Sequence, residues 1–219
     1  MKLGLGMNVH SEASCRFMVK EGFPFVIAPV VTALFFGVLQ LWIVAGIFAV
    51  AALFMMYFFR DPFRNVPHEE GVIVSAADGR VTRIDRTEEG KTVSVFLSPL
   101  DVHINRSPIE GTIEKVEYIP GRKMPATSNS ASYENERNSL TLRNDNIVVV
   151  CTQIAGVLAR RIVCWNKLGD HLERGERFGL IKFSSRTDLS MPNSVELCVN
   201  VGDRVKGGET IIARYPVTN

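Results

Sequence analysis

The sequence is poor in the residues that build metal centres and disulfide scaffolds. Its 219 residues include four cysteines, at positions 15, 151, 164 and 198, and four histidines. No two cysteines have C-x-x-C spacing and no histidine lies at a zinc-ligand offset from them, so we predict no metal site. Cys151 and Cys164 lie in apolar, strand-like runs, which favours buried reduced thiols and therefore a cytoplasmic domain.

The chain also has little net charge and lacks the common hydrolase motifs. It contains 25 lysines and arginines against 23 aspartates and glutamates, a net charge of +2. This excess is too small to indicate a nucleic-acid partner. No serine lies in a G-x-S-x-G or Ser-x-x-Lys motif, so the sequence does not indicate a serine hydrolase of the usual classes.

Charge is missing altogether from one long apolar segment. Residues 22–59 contain no Asp, Glu, Lys or Arg. A secretory signal has an apolar core of roughly 7–15 residues, which is much shorter. A single helix over residues 25–59 would extend roughly 50 Å, well beyond a hydrocarbon core of ~30 Å. We therefore predict two short helices that turn near Gln40; the alternatives are one long tilted helix and a hairpin lying in one leaflet.

The charges that flank this segment predict its orientation. Lys20 precedes it, and Arg60 and Arg64 follow it. Positive charge at both ends favours placing both ends on the cytoplasmic side of a membrane. We predict three parts for a protein at the cytoplasmic face of the cell membrane: an N-terminal cytoplasmic segment (1–21), a membrane-anchoring helical hairpin (22–59) and a β-rich domain (60–219).

The remainder of the chain has the pattern of a β domain, because Pro62 and Pro67 end the helical pattern. Short alternating segments, separated by turn residues, follow at 72–75, 80–84, 92–97, 112–119, 139–142, 147–151 and 158–164. Residues 169–176 resemble residues 202–209, displaced by 33 positions, and each copy contains a Gly-Asp turn and a later Gly turn. Lipoyl and biotinyl carrier domains contain such half-barrel turns. We therefore predict a mainly β fold, a sandwich-like β barrel.

Two single residues in this domain are candidates for proton chemistry, although each also has an ordinary structural explanation. His103 is flanked by apolar residues, which is typical of a packed histidine, but an imidazole also titrates near neutral pH and suits proton transfer. Asp78 lies in an Ala-Asp-Gly sequence, which is typical of a turn. The pattern alone does not decide between these interpretations.

Two pairs of polar residues are further candidates. Alternation along residues 158–164 places Arg160 or Arg161 on a buried face, where an arginine needs either a structural carboxylate or a ligand phosphate. Ser184 and Ser185 are adjacent, and on spacing alone two such serines are typical of a solvated turn. The spacing therefore does not by itself make Ser185 a catalytic residue.

Seven short motifs nevertheless occur together in one known order. They are FFRDP (58–62), AADGRV (76–81), DVHINR (101–106), NERN (135–138), QIAG (153–156), ARRIV (159–163) and GLIKF (179–183). Together they resemble the short bacterial and archaeal form of phosphatidylserine decarboxylase proenzymes, a pyruvoyl-dependent family. The resemblance covers essentially everything from residue 22 to the end, and seven motifs in order are specific where one would be weak.

This resemblance implies a self-processing enzyme. The Ser185 hydroxyl would attack the carbonyl of residue 184, and β-elimination would divide the chain into fragments 1–184 and 185–219, which would remain together as a complex. The second fragment would begin with a pyruvoyl group derived from Ser185, used in place of pyridoxal phosphate or a metal. Through a Schiff base it would convert membrane phosphatidylserine to phosphatidylethanolamine and CO₂. A homo-oligomer is a further expectation.

The resemblance also assigns site residues, and the chain departs from the family at two of them. Asp78 and His103 match positions implicated in self-cleavage and proton transfer. Arg106 stands where longer relatives carry a second histidine, so a triad built on that histidine does not carry over. We instead predict that Arg106, Arg160 and Arg161 include groups that bind the lipid phosphate or the head-group carboxylate.

The second departure lies at the cleavage site. The family has Gly-Ser there, and this chain has Ser184-Ser185. Glycine adopts strained backbone angles that serine resists, so Ser184 either slows cleavage or traps the proenzyme. The alternatives to a phosphatidylserine decarboxylase are a decarboxylase of the same family acting on archaetidylserine, and a processing-deficient or non-catalytic membrane-tethered β module. A carrier domain is disfavoured because neither Gly-Asp turn carries a modifiable lysine.

Overall fold

The apolar segment forms a helical hairpin, as predicted. The computed structural model describes residues 17–121, 134–156, 161–182 and 185–217. A 3-10 turn (Lys20–Gly22) leads into α1 (Phe23–Val38), and α2 (Trp42–Phe58) returns alongside it. Gln40, at the turn, has a φ of 58°, and Phe36 stacks on Phe48 across the hairpin with ring centroids 5.9 Å apart. The alternative of one long helix is wrong.

The surface of the hairpin is apolar and mostly exposed. Val38 and Ile43 are each 83% exposed, for example. The stretch Lys20–Val38 is long and apolar enough to cross a membrane by length and composition, whereas Trp42–Phe58 is apolar but shorter. These properties are compatible with membrane association.

The two ends of the hairpin meet. Val19 donates its backbone N–H to the Phe59 carbonyl, and Asp61 donates to the Phe17 carbonyl, each at 3.1 Å. The segments before α1 and after α2 are therefore paired side by side. This pairing brings the flanking cations Lys20 and Arg60 to the same end of the hairpin.

Strands make up most of the rest of the described chain. Their bounds are β1 (Val72–Val74), β2 (Gly79–Arg86), β3 (Lys91–Leu97), β4 (Ile104–Arg106), β5 (Gly111–Ile119), β6 (Arg137–Arg143), β7 (Val148–Ala155), β8 (Arg161–Cys164), β9 (His171–Leu172), β10 (Arg177–Lys182), β11 (Ser185–Met191), β12 (Glu196–Leu197), β13 (Arg204–Val205) and β14 (Ile211–Arg214). Every alternating segment predicted from the sequence coincides with part of a strand.

The strands form one large antiparallel sheet and two small ones. The eight-stranded sheet has the order β13-β2-β3-β11-β7-β6-β5-β9, and the three-stranded sheets have the orders β1-β14-β12 and β4-β10-β8. Alternate side chains of β3, β11 and β7 point into a common apolar core that includes Val95, Leu189 and Cys151. Cys151 is a buried free thiol, as predicted, and Cys164 is free and half-buried. The mainly β prediction is confirmed.

The two similar sequence segments, 169–176 and 202–209, also form a structural repeat. In one copy the Gly202 N–H donates to the Val81 carbonyl at 2.8 Å, and in the other the Gly169 N–H donates to the Ile113 carbonyl at 2.9 Å. The first contact joins β13 to β2, and the second joins β9 to β5. Each Gly-Asp turn thus caps one edge of the large sheet.

The repeat extends to two further segments, one beginning at Ser75 and the other at Ser107, each with the pattern Ser-x-x-acid-Gly. In each, the serine Oγ donates to the carbonyl two residues on, at 2.7 and 2.6 Å. Each serine carbonyl also accepts a hydrogen bond of 2.8 Å from a glycine N–H of the adjoining turn. Asp78 and Glu110 therefore occupy equivalent positions in the two halves.

Candidate active site

Ser185 is buried at the start of a central strand. It is the first residue of β11, lies between Leu97 of β3 and Ala155 of β7, and is 0% exposed. Its Oγ is buried and has no hydrogen-bond partner among the described residues. A buried hydroxyl without a partner costs roughly 1–3 kcal/mol, which makes it a candidate for function. The interpretation of Ser185 as part of a solvated turn is wrong, and Ser184 lies outside the described residues.

A chain of buried amides supports the strand that carries Ser185. Thr187, two residues further along the same face of β11, accepts a hydrogen bond from Asn105 Nδ2 at 2.9 Å. Asn105 Oδ1 accepts one from Gln153 Nε2 at 2.9 Å, and Gln153 Oε1 accepts one from Asn138 Nδ2 at 3.0 Å. All four side chains are buried. Because these three hydrogen bonds connect side chains of β4, β6, β7 and β11, the network fixes the four strands relative to one another.

The opposite face of β11 carries a buried ion pair. Arg186 Nε lies 2.8 Å from Asp188 Oδ1, and Arg186 Nη2 donates to Asp188 Oδ2 at 3.0 Å. Of these two contacts only the one between Nη2 and Oδ2 has hydrogen-bond geometry, so the pair combines one charge-assisted hydrogen bond with the attraction of opposite charges. Sequence reasoning missed the pair, although an Arg and an Asp two residues apart share one face of a strand. The pair stabilises β11 from within the strand itself.

His103 presents a free basic nitrogen in an apolar environment. It is 2% exposed, and its Nδ1 lies 2.9 Å from the Asp101 carbonyl oxygen. A carbonyl can only accept, so the hydrogen-bond network assigns the ring proton to Nδ1 and leaves a lone pair on Nε2. Nε2 is buried and meets no hydrogen-bonding group in the part of the chain that is described. Burial lowers the pKa of His103 to about 4, so the ring is neutral at physiological pH.

The fold places His103 beside the end of β10, and Ser185 begins the next strand, β11. The His103 carbonyl accepts a hydrogen bond from the Ile181 N–H at 3.2 Å, one residue before the end of β10. β10 ends at Lys182 and β11 begins at Ser185, so His103 flanks the connection that contains the predicted cleavage site. Two residues predicted from separate motifs thus belong to one region.

Asp78 is held by a cation and a backbone N–H. Arg64 Nη2 donates to its Oδ2 at 2.9 Å, and the Gly207 N–H donates to its Oδ1 at 2.8 Å. The next residue, Gly79, has a φ of 148°, and a Cβ there would collide with the Phe96 carbonyl. Only glycine fits this close approach, so the Ala-Asp-Gly turn places the carboxylate where Arg64 and Gly207 meet it.

The two equivalent carboxylates of the repeat have different environments. The Asp78 side chain is 14% exposed, whereas that of Glu110 is 64% exposed. Burial raises the pKa of Asp78 above its ordinary value, and the Arg64 cation opposes this rise. The negative charge of Asp101 also raises the pKa of Asp78, so Asp101 lies within electrostatic range of Asp78 as well as of His103. Of the two positions, Asp78 holds a largely buried carboxylate and Glu110 an exposed one.

Arg106 is engaged by the protein itself. Its Nη1 donates to the Gly175 carbonyl at 3.0 Å, and its Nη2 donates to Asp61 Oδ1 at 2.8 Å and to the Pro62 carbonyl at 3.2 Å. The other oxygen of Asp61 pairs with Arg177. Sequence reasoning treated Asp61 only as part of the helix end and missed this role. The Asp61 carboxylate joins the segment after the hairpin to β4 and β10.

The remaining arginine candidates lie apart from this cluster. Arg161 is exposed at the start of β8, directly opposite Lys182, the last residue of β10. Directly opposed residues of antiparallel strands share a face, so these two cations lie side by side. Arg160 lies outside the described residues.

Asp61→Asn is expected to destabilise the protein by about 3–5 kcal/mol, because it leaves the buried Arg106 cation without its counter-charge. The Asp61 side chain is 4% exposed and that of Arg106 is 10% exposed. The measurement is urea unfolding of the detergent-solubilised protein, followed by tryptophan fluorescence. The matched control is Asp85→Asn, whose pair with Arg83 lies at the surface and is expected to cost at most about 1 kcal/mol. Equal losses in the two variants would contradict a structural role for Asp61.

Comparison with known proteins identifies the family of the chain. The family model for phosphatidylserine decarboxylase matches residues 51–213. A phosphatidylserine decarboxylase proenzyme of Symbiobacterium thermophilum is 45% identical over 217 residues, covering 94% of this chain and 99% of the relative. Proenzymes of the same name from Syntrophus aciditrophicus and Nitrosomonas europaea are 42% and 41% identical, covering 91% and 90% of this chain and 98% and 95% of their own lengths. The chain therefore belongs to the phosphatidylserine decarboxylase family.

Proposed function

We propose that this protein is a self-processing decarboxylase that converts phosphatidylserine to phosphatidylethanolamine and CO₂ with a pyruvoyl group made from its own Ser185. The observation that carries the proposal is the buried Ser185 hydroxyl at the start of β11, which has no hydrogen-bond partner among the described residues, in a chain whose relatives are named phosphatidylserine decarboxylase proenzymes. These names favour phosphatidylserine over archaetidylserine as the substrate. The ketone of a pyruvoyl group supplies the electron sink that decarboxylation of an amino acid requires.

Self-processing would begin with the Ser185 hydroxyl. Its oxygen attacks the carbonyl carbon of residue 184, the C–N bond breaks, and an ester replaces the peptide bond. Loss of the Ser185 Cα proton then expels the carboxylate of residue 184 and leaves dehydroalanine, whose hydrolysis releases ammonia and gives the pyruvoyl group. Within the described part of the chain no hydrogen bond competes for the Ser185 hydroxyl, which fits a group that must be free to attack.

Two further residues, His103 and Asp78, would handle protons. His103 is neutral, and its Nε2 lone pair is free to accept a proton without first losing one. The Asp78 carboxylate is oriented by Arg64 and by the Gly207 N–H. These contacts support roles for His103 and Asp78 in self-cleavage and in proton transfer during decarboxylation.

The two products of cleavage would remain one complex. Residues 185–219 would carry β11, which lies between β3 and β7 in the middle of the large sheet. The same fragment carries β14, paired with β1, and β13, paired with β2. Separating the fragments would expose a sheet interior, so backbone hydrogen bonds and core packing would hold them together without a covalent link.

The hairpin would insert into the cytoplasmic leaflet and bring the site to its lipid substrate. Its exposed apolar surface and the meeting of its two cationic ends support this orientation. The cations Arg161 and Lys182 lie side by side at the end of β10, next to the proposed cleavage region. Two adjacent positive charges are suited to binding the lipid phosphate. Arg106 is less suited, because Asp61 already holds its guanidinium.

The test is the intact mass of the purified full-length protein together with CO₂ release from phosphatidylserine vesicles. We expect two chains, the smaller consisting of residues 185–219 with a pyruvoyl group at its start, and release of CO₂. A single species of 24.4 kDa that releases no CO₂ would contradict an active enzyme.

Ser184→Gly is expected to accelerate self-cleavage by roughly 5- to 30-fold, because serine in a strained backbone conformation costs about 1–2 kcal/mol more than glycine. The measurement is the time course of the large and small chains by mass spectrometry after synthesis. If the natural chain stays intact and the glycine variant divides, Ser184 traps the precursor. If neither chain divides, the self-processing assignment is wrong.

A further inference from the structure

The second helix of the hairpin ends directly against His103. The rings of Phe58, the last residue of α2, and His103 have centroids 4.3 Å apart and planes inclined by 35°. Phe58 is 1% exposed and His103 is 2% exposed. At this distance the phenyl ring is in van der Waals contact with the imidazole and covers it.

This contact belongs to an apolar cluster that the hairpin and the β domain build together. The hairpin and its flanks contribute Val19, Phe58 and Phe59, and the β domain contributes Val102, Ile104 and Leu180. A hydrogen bond of 2.8 Å from Trp165 Nε1 to Glu21 Oε1 joins the same two parts. The hairpin is therefore packed onto the segment that carries His103 and is not attached to it by a loose linker.

Hydrogen bonding alone does not hold the His103 ring. Its single hydrogen bond, to the Asp101 carbonyl, leaves rotation about that contact unconstrained, and Nε2 has no partner in the described structure. The position of Nε2 is consequently set by packing, and Phe58 contributes the aromatic ring that packs on the imidazole. An imidazole ring turned by a few tens of degrees would move Nε2 away from any group it serves.

We propose that Phe58 is a positioning residue for His103, so that the hairpin forms part of the active site in addition to anchoring it. This inference rests on the proposed role of His103 as a proton acceptor. It implies that removing the hairpin impairs the chemistry itself and not only access to the membrane.

The charged groups near His103 and its burial determine how its pKa changes when the Phe58 ring is removed. Asp101 raises its pKa and Arg60 lowers it, while Arg204 pairs with Asp101 at 3.3 Å. Burial is the largest influence, and it lowers the pKa to about 4. Removing the Phe58 ring admits water, so the pKa of His103 rises toward the 6.5 of an exposed imidazole. A general base is protonated, and therefore inactive, below its pKa. A higher pKa for His103 consequently moves the acid limb of the activity profile to higher pH.

The experiment compares Phe58→Ala and Phe58→Leu with Phe35→Ala in the full-length protein reconstituted in phosphatidylserine vesicles. Phe35 is an exposed hairpin residue, at 59%, and serves as the matched control. The first readout does not depend on activity: the rate at which diethyl pyrocarbonate modifies His103 at pH 7, measured by peptide mass spectrometry. The second readout is the acid limb of CO₂ release as a function of pH.

The expected results differ among the variants. In the natural protein and in Phe35→Ala, His103 reacts at least about tenfold more slowly than the exposed His171, because modification requires local opening. Phe58→Ala removes most of this protection and moves the acid limb up by as much as about two pH units. Phe58→Leu keeps the apolar bulk, so its acid limb stays within about half a unit of that of the natural protein.

Three outcomes overturn the proposal, and a fourth addresses the proposed function separately. Unchanged modification of His103 in Phe58→Ala, or an acid limb equal to that of Phe35→Ala, shows that Phe58 does not position His103. The same is shown if Phe58→Leu behaves like Phe58→Ala, because generic loss of packing then explains both. A His103→Asn variant with natural activity contradicts the role of His103, whereas protection of His103 by Phe58 is still read from the modification rate.

Discussion

A Ser185→Ala variant is expected to remain a single chain of 24.4 kDa and to release no CO₂ from phosphatidylserine vesicles. Alanine has no hydroxyl to attack the preceding carbonyl, and in the proposed mechanism no other residue would supply the atoms of the pyruvoyl group. The loss is complete rather than partial, because both processing and the cofactor depend on one side chain. Mass spectrometry of the purified protein and a radiometric CO₂ assay measure the two consequences independently.

The control for this variant is Ser190→Ala on the same strand. Ser190 lies on the other face of β11, and its Oγ pairs with Thr92 Oγ1 at 2.9 Å. Its removal costs about 1 kcal/mol of stability at most and leaves processing intact. Release of CO₂ by Ser185→Ala, with Ser190→Ala behaving as the natural protein, would show that the cofactor does not come from Ser185.

His103→Asn is expected to slow processing and decarboxylation by about 10²–10⁴-fold, the contribution typical of a positioned general acid or base. Asparagine keeps a donor near the position of Nδ1, so the hydrogen bond to the Asp101 carbonyl survives. It has no lone pair at the position of Nε2, and the proton acceptor is therefore lost. Rates of chain division and of CO₂ release, measured on the same preparations, test both steps.

The same substitution at an exposed histidine provides the control. The His171 side chain is 53% exposed and lies at the far edge of the large sheet, in β9. His171→Asn is expected to leave both rates unchanged. If His103→Asn retained the rates of His171→Asn, the buried imidazole would have a packing role only.

Local pattern was enough to predict the helical hairpin and the β elements. A charge-free run too long for one helix predicted two, and Gln40 lies at the turn between them. Alternation predicted the strands because one face of each is buried against the core. The same alternation could have revealed Gln153, which shares a face of β7 with the buried Cys151 and Val149. A polar residue at such a position signals an internal hydrogen-bond network.

Local pattern gave the wrong environment for Ser185. Adjacent serines are polar and small, and these properties alone favour a solvated turn. Ser185 is buried because β3 and β7 lie on both sides of it. Neither neighbour can be identified from the residues around Ser185.

What is known of the proposed cleavage residue, Ser185, comes partly from the sequence and partly from the tertiary structure. The sequence by itself determined the family, the order of helices and strands, and the identity of Ser185, His103 and Asp78 as candidates, because short motifs and periodicity are properties of neighbouring residues. The tertiary structure decided which side chains meet: Asp61 with Arg106, 45 residues apart, and Asn105 with Thr187, 82 residues apart. Such pairs form only when the chain closes on itself, and the burial that changes the pKa of His103 arises only then.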